Sequence, residues 1–281
     1  MPRPSSKKRA AASKKNGSTE QTLNPLRAGM PAQDSIIEVK PLTIPAAAAL
    51  RRAAAMKLTA YRIIKTNEVD AYEKGATADG TLSPKFAAKK AAAVHSDNFE
   101  GTARKTAKLS IGDGHVGVFK DLKNLIKSLP ADDKMIAHVP KIKTTATSER
   151  VEEEQRNVRV KVFLYAASRE DDNDFHLILG RDPSVAPEMY MTMELSGLPP
   201  STSAAFKKLK AARDAYKAFF GDELPGEKYD FYDPPIPVQI EGSLFFDMSH
   251  SAGQRPGPKS LKSRMPTIWE IHPITKIVFH P

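Results

Sequence analysis

Three short stretches in the second half of the chain each place a carboxylate close to a histidine. They are Asp174 with His176, Asp247 with His250, and Glu270 with His272. The first and third pairs have i, i+2 spacing, so both side chains of a pair share one face if the segment is a strand. A carboxylate and an imidazole together suit a divalent metal site or an acid–base pair, because the acid orients the ring and raises its basicity. The sequence predicts a metal site, and with it a hydrolytic site, if the three stretches are neighbours. Otherwise each histidine is simply hydrogen-bonded at the rim of a sheet.

A second set of residues has the composition of a nucleic-acid surface. Arg159, Lys161, Phe163 and Tyr165 occupy alternate positions of one segment, opposite the apolar residues between them. Alternating cations and rings on a strand face can hold a phosphate backbone and stack bases. The alternative is a face covered by a second layer of the protein, because aromatic groups on a strand are often buried by packing. The pattern therefore indicates a contact face only if solvent reaches it.

The positive charge of the chain is concentrated near the N-terminus. The net charge is +10, and residues 1–60 hold 11 Lys and Arg against 3 Asp and Glu. Such a segment attracts polyanions, nucleic acid among them, with an affinity that falls as salt rises, although a solubilising tail is the alternative. No apolar run forms a secretory signal or reaches the roughly 20 residues of a membrane span. We therefore expect a cytoplasmic protein with nucleic acid as its partner and no membrane association.

Several kinds of site are excluded by what the chain lacks. It has no cysteine, so disulfides, thiolate metal sites and cysteine nucleophiles are ruled out. No serine nucleophile elbow, HExxH or Walker pattern occurs, so no cofactor is predicted and enzymatic activity stays open. Residues 111–117 have the glycine content of a phosphate loop but not its lysine and serine ending, which favours an ordinary turn.

The chain divides into three regions by its apolar pattern. Residues 1–36 have neither helical nor strand periodicity and are predicted to be a disordered basic tail. Residues 37–134 are interpreted as a partly ordered linker or strap, with a short helix running into a strand at residues 46–65 and a helix near residues 119–129. Residues 135–281 are predicted to form one β-barrel domain.

Alternation of apolar and polar residues predicts five strands in this last region. They cover residues 158–164, 174–179, 189–195, 238–246 and 268–279, and an apolar stripe predicts a helix at residues 206–220. The expected fold class is mainly β with α. A helix between the third and fourth strands indicates a five-stranded OB-like antiparallel barrel, preceded by the disordered basic tail and the partly helical segment. A sandwich or an open α+β sheet is the alternative.

The segments with the carboxylate and histidine pairs resemble a group of bacterial proteins of unknown function. Residues 171–177 (DDNDFHL) and 269–273 (WEIHP) match the D-x-H-L and E-(I/L)-H-P strand patterns of that group, and residues 245–250 (FFDMSH) lie between them. The similarity covers roughly residues 140–281. It implies a bacterial origin and a small β-barrel, and it brings no established activity, so no catalytic residue is transferred.

Three functions follow from these patterns, in order of preference. The first is a nonenzymatic OB-like module that binds single-stranded nucleic acid with low sequence specificity through the Arg159 to Tyr165 face and the tail. The alternative is a metal-dependent hydrolase that uses the six carboxylate and histidine residues. It requires the three imidazoles to lie within about 10 Å of one another, since ligands of one ion lie roughly 2 Å from it. A structural or interaction protein is the third.

Overall fold

The computed structural model describes residues 36–41, 60–70, 96–252 and 255–281, and for residues 36–41 and 60 it describes the backbone alone. The predicted tail lies outside these ranges except for Ile36. The helix predicted within residues 46–59 and the parts of the predicted linker at residues 42–59 and 71–95 also lie outside them. The described residues belong to one compact unit, Pro31–Pro281. Within them, every helix is too short or too polar to cross a bilayer.

Strands make up most of the regular structure. In chain order they are β1 (Ile36–Pro41), β2 (Ala60–Lys65), β3 (Val116–Phe119), β4 (Asn157–Arg169), β5 (Phe175–Gly180), β6 (Tyr190–Leu195), β7 (Asp230–Phe246) and β8 (Trp269–Phe279). The helices are α1 (Lys105–Lys108), α2 (Leu122–Lys127), α3 (Asp132–Ile136) and α4 (Phe206–Phe220), and short 3-10 turns occur at Glu152–Gln155, Met248–His250 and Lys262–Arg264. The prediction of a mainly β protein with few helices is confirmed.

One mixed sheet contains these strands in the order β1-β2-β7-β8-β6-β5-β4-β3. An additional pairing of β4 with β7 joins β4, β5, β6, β8 and β7 into a ring. Most neighbours are antiparallel, but β3 runs parallel to β4, and β6 runs parallel to β8 through the pair Met193 and Ile271. The prediction of an antiparallel sheet is therefore wrong at this point, because β6 and β8, the third and fifth strands of the ring in chain order, are parallel neighbours.

The inside of the ring is an apolar core made by alternate residues of its strands. Its members include Val158, Val160, Val162 and Leu164 of β4, Phe175, Leu177 and Leu179 of β5, Met191, Met193 and Leu195 of β6, and Trp269 and Ile271 of β8. The residues between them on β5 and β6 are buried as well. A second layer of the protein therefore covers the outer face of the ring at these two strands.

The helix α4 lies where the sequence predicts a helix at residues 206–220. Its apolar residues Tyr216, Phe219 and Phe220 are buried against the core, and the ring of Phe219 stacks on Phe279 with centroids 3.8 Å apart. The helix ends at Gly221, whose φ of 57° is a conformation that glycine adopts without a steric cost.

The helix predicted near residues 119–129 is shorter than expected. Residues Val116–Phe119 form β3, and α2 covers only Leu122–Lys127. The side chain of Asp121 accepts a hydrogen bond from the backbone N–H of Lys123 at 2.7 Å and thereby caps the start of α2. Leu122 and Leu125 pack into the core, so the apolar spacing does mark a helix, whereas Phe119 belongs to the preceding strand.

Residues 96–112 form a covering layer over the outer face of the ring, and buried arginines tie this layer to the sheet. Arg104 donates hydrogen bonds to both carboxylate oxygens of Glu154, at 2.6 and 2.7 Å, and one to the carbonyl of Phe246. Arg150 donates to the carbonyls of Ser110 and His272. Part of the region predicted to be a linker is therefore packed against the sheet.

The Gly-rich loop at residues 111–117, where this layer ends, is a packing element. The N–H of Gly112 donates to the hydroxyl of Ser243, and the N–H of Gly114 donates to the carbonyl of Gln155. A side chain on Gly112 would place its Cβ only 2.4 Å from the same Gln155 oxygen. Both N–H groups are thus bonded inside the protein, which agrees with the interpretation of an ordinary turn.

Candidate metal centre

Four of the predicted metal residues lie on the outer face of the ring, beneath the covering layer. Asp174, His176, Glu270 and His272 are all buried, and Glu194 of β6 is buried among them. His176 and Glu194 are opposite one another in the pairing of β5 with β6. The fold therefore brings together residues from β5, β6, β8 and the turn before β5.

Glu194 is at the centre of this group. Its Oε2 lies 2.6 Å from Nδ1 of His272, and its Oε1 lies 3.4 Å from Nδ1 of His176. Nε2 of His272 shares a hydrogen bond of 2.7 Å with the hydroxyl of Ser196 and lies 3.4 Å from Oδ2 of Asp174. Close contacts between ionisable side chains thus extend across β5, β6 and β8.

A buried lysine reaches the group from the covering layer. Nζ of Lys108, the last residue of α1, lies 3.3 Å from Asp172 and 3.8 Å from both Asp174 and Glu194. Burial acts to lower the pKa of Lys108, but the carboxylates, Glu194 foremost, outweigh it and raise this pKa well above its ordinary value. Lys108 is therefore a permanent positive charge inside the cluster.

The two imidazoles on either side of Glu194 have opposite protonation states. Burial acts to lower the pKa of His176, but contact with Glu170 at 2.6 Å and with Glu194 raises this pKa well above its ordinary value. Burial lowers the pKa of His272, and Glu194 offsets that effect only in part. Although burial acts to raise the pKa of Glu194, the imidazoles and Lys108 hold it well below the usual range. The directions of these shifts favour the charged form of His176, the neutral form of His272 and the ionised form of Glu194.

Glu270 differs from its neighbours because its carboxylate has no donor. The side chain is fully buried, and within the described part of the chain neither oxygen has a hydrogen-bond partner. Burial, together with Glu194 and Asp247, raises the pKa of Glu270 well above its usual value. A buried carboxylate that accepts no hydrogen bond is costly, so Glu270 either holds a proton or binds a cation.

Asp247 and His250, the remaining predicted pair, complete a group of three with Glu270. One candidate ligand atom from each of the three residues lies within 4.8 Å of the other two. Oδ1 of Asp247 accepts hydrogen bonds from the backbone N–H and the hydroxyl of Ser249, which orients the carboxylate, and Oδ2 lies 3.4 Å from Nε2 of His250. The side chains of Asp247 and His250 are 16% and 10% exposed, so solvent reaches this end of the cluster.

Two further groups have similar spacing and are less suited to an ion. They are Asp174 with Glu194 and His272, and Asp70 with Glu170 and His176. Lys108 lies 3.8 Å from both carboxylates of the first group and already supplies positive charge there. In the second group the raised pKa of His176 favours the protonated ring, so a proton competes with an ion for its nitrogens. The group of Asp247, His250 and Glu270 is the best metal candidate.

The sequence interpretation missed Glu194, Glu170 and Lys108. Glu194 alternates with Met193 and Leu195 on β6, so its place on the outer face could be derived from strand periodicity. No pattern in the sequence indicates that this face is covered. Lys108 lies in a segment without apolar periodicity, and no signal there distinguishes a buried lysine from a solvated one.

The four residues predicted to contact nucleic acid do not share one open face. Lys161 is exposed, and Arg159 is partly exposed with its guanidinium bound to Glu241 at 2.6 and 2.8 Å. Phe163 is half-buried. Tyr165 is buried, its hydroxyl donates to the carbonyl of Arg181 at 2.8 Å, and its ring packs on Tyr190. The two cations lie at the surface and the tyrosine does not, while the predicted role of the set in nucleic-acid binding stays a prediction.

Comparisons with protein-family models, with curated proteins and with solved structures found no match to this chain. The resemblance to a bacterial family of unknown function therefore stays a prediction.

Proposed function

We propose that the protein is a metal-dependent hydrolase in which Asp247, His250 and Glu270 bind one divalent ion. The observation that carries this proposal is the carboxylate of Glu270, which is fully buried and accepts no hydrogen bond from the described residues. An ion could bind the Glu270 carboxylate together with Asp247 and His250, because candidate ligand atoms of the three residues lie within 4.8 Å of one another.

The ligand types suggest which ions to test. Two carboxylates and one imidazole supply oxygen and nitrogen donors, which suit Zn²⁺, Mn²⁺ or Fe²⁺. Ca²⁺ prefers a larger shell made of oxygens alone. Zinc and manganese are therefore the ions of choice for a binding experiment.

The surroundings of the three ligands favour hydrolytic chemistry. An ion at this position would polarise a scissile ester or phosphoester bond and make water a better nucleophile. Nδ1 of His272 lies 3.9 Å from Oε2 of Glu270, and Glu194 links this imidazole to His176. These groups can take up the proton that attack by water releases.

The decisive experiment combines metal binding with a matched pair of variants. We expect isothermal titration calorimetry to show one Zn²⁺ or Mn²⁺ per chain, and Glu270→Gln to weaken binding about 100-fold or more, since a direct ligand matters at least as much as its supporting residues. Glu241→Gln removes a partly exposed carboxylate from another part of the same sheet and should leave the affinity unchanged. Equal affinities of wild type and Glu270→Gln would contradict the metal site.

Turnover is tested separately on p-nitrophenyl acetate, p-nitrophenyl phosphate and bis-p-nitrophenyl phosphate. We expect metal-dependent hydrolysis of at least one of them, lost in Glu270→Gln and kept in Glu241→Gln. A protein that binds the ion and hydrolyses none of the three would keep the metal site and lose the hydrolase proposal.

A second candidate is the nucleic-acid-binding module, and we infer for it that the ring is an OB-like barrel. Two features support this inference. In the sheet, the first strand of the ring, β4, pairs with both β5 and β7. Along the chain, α4 lies between β6 and β7, which are the third and fourth strands of the ring. The surface position of Arg159 and Lys161 favours a role for this barrel in binding phosphates. A role as an interaction protein is the remaining alternative if the protein binds neither a metal ion nor nucleic acid.

A further inference from the structure

Two cavities that share Lys208 lie beside the first half of α4. The first has a volume of about 500 Å³ and lies between α4 and the strands β7 and β8. The ionic groups that line it are Lys207, Lys208, Lys276 and Glu241. Small residues of the helix, Ala211 and Ala215 among them, form its wall and leave room between helix and sheet.

The second cavity lies near the N-terminal end of α4. It is a cavity of about 680 Å³ between α1 and the turn that leads into α4, and Lys208 lines both cavities. The charged side chains around it are Lys105 and Lys208, and no carboxylate lines it among the described residues. Hydroxyl groups of Thr106 and Ser203 lie along the same surface. We call the two cavities together the α4 groove.

The α4 groove carries positive charge that nearby acids do not neutralise. Glu241, the acid that lines it, is bound by Arg159 at 2.6 and 2.8 Å. Lys207, Lys208 and Lys276 form no ion pair with any of the described residues. Asp214, on the exposed part of α4, is bound by Lys210 at 2.6 Å. The groove therefore presents three unpaired ammonium groups to solvent.

We propose that the α4 groove binds the phosphate backbone of a single-stranded nucleic acid. The inference rests on the second candidate function and moves the main contact from the β4 face to the helix. Unpaired cations along a groove, with the Ser203 hydroxyl beside them, match a chain of phosphates, which takes hydrogen bonds from lysine and serine side chains. Positively charged grooves of this kind track the backbone of single strands.

The lining of the groove also predicts how the strand is bound. No aromatic side chain lines either cavity within the described part of the chain. Base stacking, the usual source of sequence preference in single-strand binding, is therefore not available there. We expect binding that is independent of sequence and strongly dependent on salt.

The test compares two triple variants with the same change in net charge. The groove variant carries Lys207→Ala, Lys208→Ala and Lys276→Thr, and the control carries Lys143→Ala, Lys210→Ala and Lys228→Ala at positions that do not line the groove. Binding of a fluorescein-labelled oligothymidylate of about 20 nucleotides is followed by anisotropy between about 50 and 200 mM salt. A thermal melt by circular dichroism confirms that each variant is folded.

We expect the groove variant to lose about tenfold or more in affinity at low salt and the control to stay within about threefold of wild type. The slope of log affinity against log salt should fall by about 2 in the groove variant, since each phosphate contact with a single strand contributes roughly 0.7. Equal losses in both triples would overturn the proposal.

A Lys161→Ala variant separates this inference from the function on which it rests. If Lys161→Ala weakens binding while the groove variant matches the control, the groove assignment alone is wrong. If wild type does not bind oligothymidylate, both are wrong. Binding of a heparin fragment without binding of oligothymidylate would overturn the assignment to nucleic acid.

Discussion

Nδ1 of His272 lies 2.6 Å from Oε2 of Glu194 on the outer face of the ring, and both side chains are buried. The parallel pairing of β6 with β8 explains this contact. Met193 pairs with Ile271, so the residues that follow them, Glu194 and His272, emerge side by side on the same face. An antiparallel pairing at that point would place Glu194 opposite Glu270 and bring two carboxylates together.

Glu194→Gln tests the importance of this central anion for stability. The substitution keeps the shape of the side chain but removes the charge that faces His176 and Lys108. Breaking a buried charge pair leaves an uncompensated charge, so we expect the free energy of unfolding to fall by about 3–5 kcal/mol. Urea denaturation at pH 7 measures it. The control is Glu241→Gln, which removes a partly exposed ion pair with Arg159 and should lower the free energy of unfolding by less than about 1 kcal/mol. Similar losses in the two variants would show that Glu194 is not the centre of the cluster.

The pair Arg104 and Glu154 should show strong energetic coupling. Both side chains are at least 98% buried and two hydrogen bonds join them. We expect Arg104→Met and Glu154→Gln each to destabilise the protein by about 3–5 kcal/mol, and the double variant to lose clearly less than their sum. Urea unfolding of the four proteins gives the coupling energy.

The exposed pair Lys210 and Asp214 provides the comparison for that cycle. It joins residues four apart on α4, and such helix pairs couple by about 0.3–0.5 kcal/mol. If the buried pair couples no more strongly than this surface pair, Arg104 is not what holds the covering layer to the ring.

Periodicity in the sequence is sufficient to locate the five strands of the ring, but not β1 or β3, and much of the candidate site. The alternation on β4 predicts that Val158, Val160 and Val162 face the core, and the i, i+2 pairs at the start of β5 and on β8 predict that acid and imidazole share a face. Lys108 could not be predicted in the same way. It belongs to a covering layer held by isolated side-chain contacts and a few backbone hydrogen bonds, and contacts of this kind leave no repeat in the sequence.

Tyr165 shows a second limit of periodicity. The register of β4 shifts between Leu164 and Ala166, and the residues on both sides of the shift are buried. A β-bulge adds a residue to one strand and breaks the alternation of faces. The interpretation that continues the alternation from Arg159 through Tyr165 therefore fails at its last member.

Glu170 should make the stability of the protein depend on pH. Burial raises the pKa of Glu170 to about 8, although the neighbouring His176 opposes the shift, whereas its ordinary value is 4.5. Because the folded pKa lies above the unfolded one, the contribution of this group to stability is fully present below about pH 4.5 and is lost as the pH rises to about 8. The side chain is 24% exposed, so water screens part of the effect and we expect about 1–2 kcal/mol.

The matching variant is Glu170→Gln, which removes the titration and keeps a similar shape. Urea unfolding at about pH 5 and about pH 8 should show a smaller loss of stability for Glu170→Gln than for wild type. Glu241→Gln should keep the wild-type difference. An unchanged difference in Glu170→Gln would assign the pH dependence to other groups of the cluster.

Tyr165→Leu distinguishes a buried ring from a base-stacking one. The tyrosine packs on Tyr190 with ring centroids 4.9 Å apart and donates to the carbonyl of Arg181, so its loss should cost about 2–4 kcal/mol in the free energy of unfolding. The affinity for oligothymidylate should stay the same, because the ring is not accessible to a base.

Lys161→Ala is expected to behave in the opposite way, because Lys161 is exposed and forms no ion pair with the described residues. Its stability should match wild type, while the salt slope of oligothymidylate binding should fall by about 0.7. Urea unfolding of Tyr165→Leu and Lys161→Ala measures the stability of each variant. Anisotropy titrations at a temperature where both are folded measure their affinity and salt slope. A loss of affinity in Tyr165→Leu that exceeds the loss in Lys161→Ala would mean that Tyr165 leaves its buried position to contact bases, and the outer face of β4 would then be the binding surface that the sequence predicts.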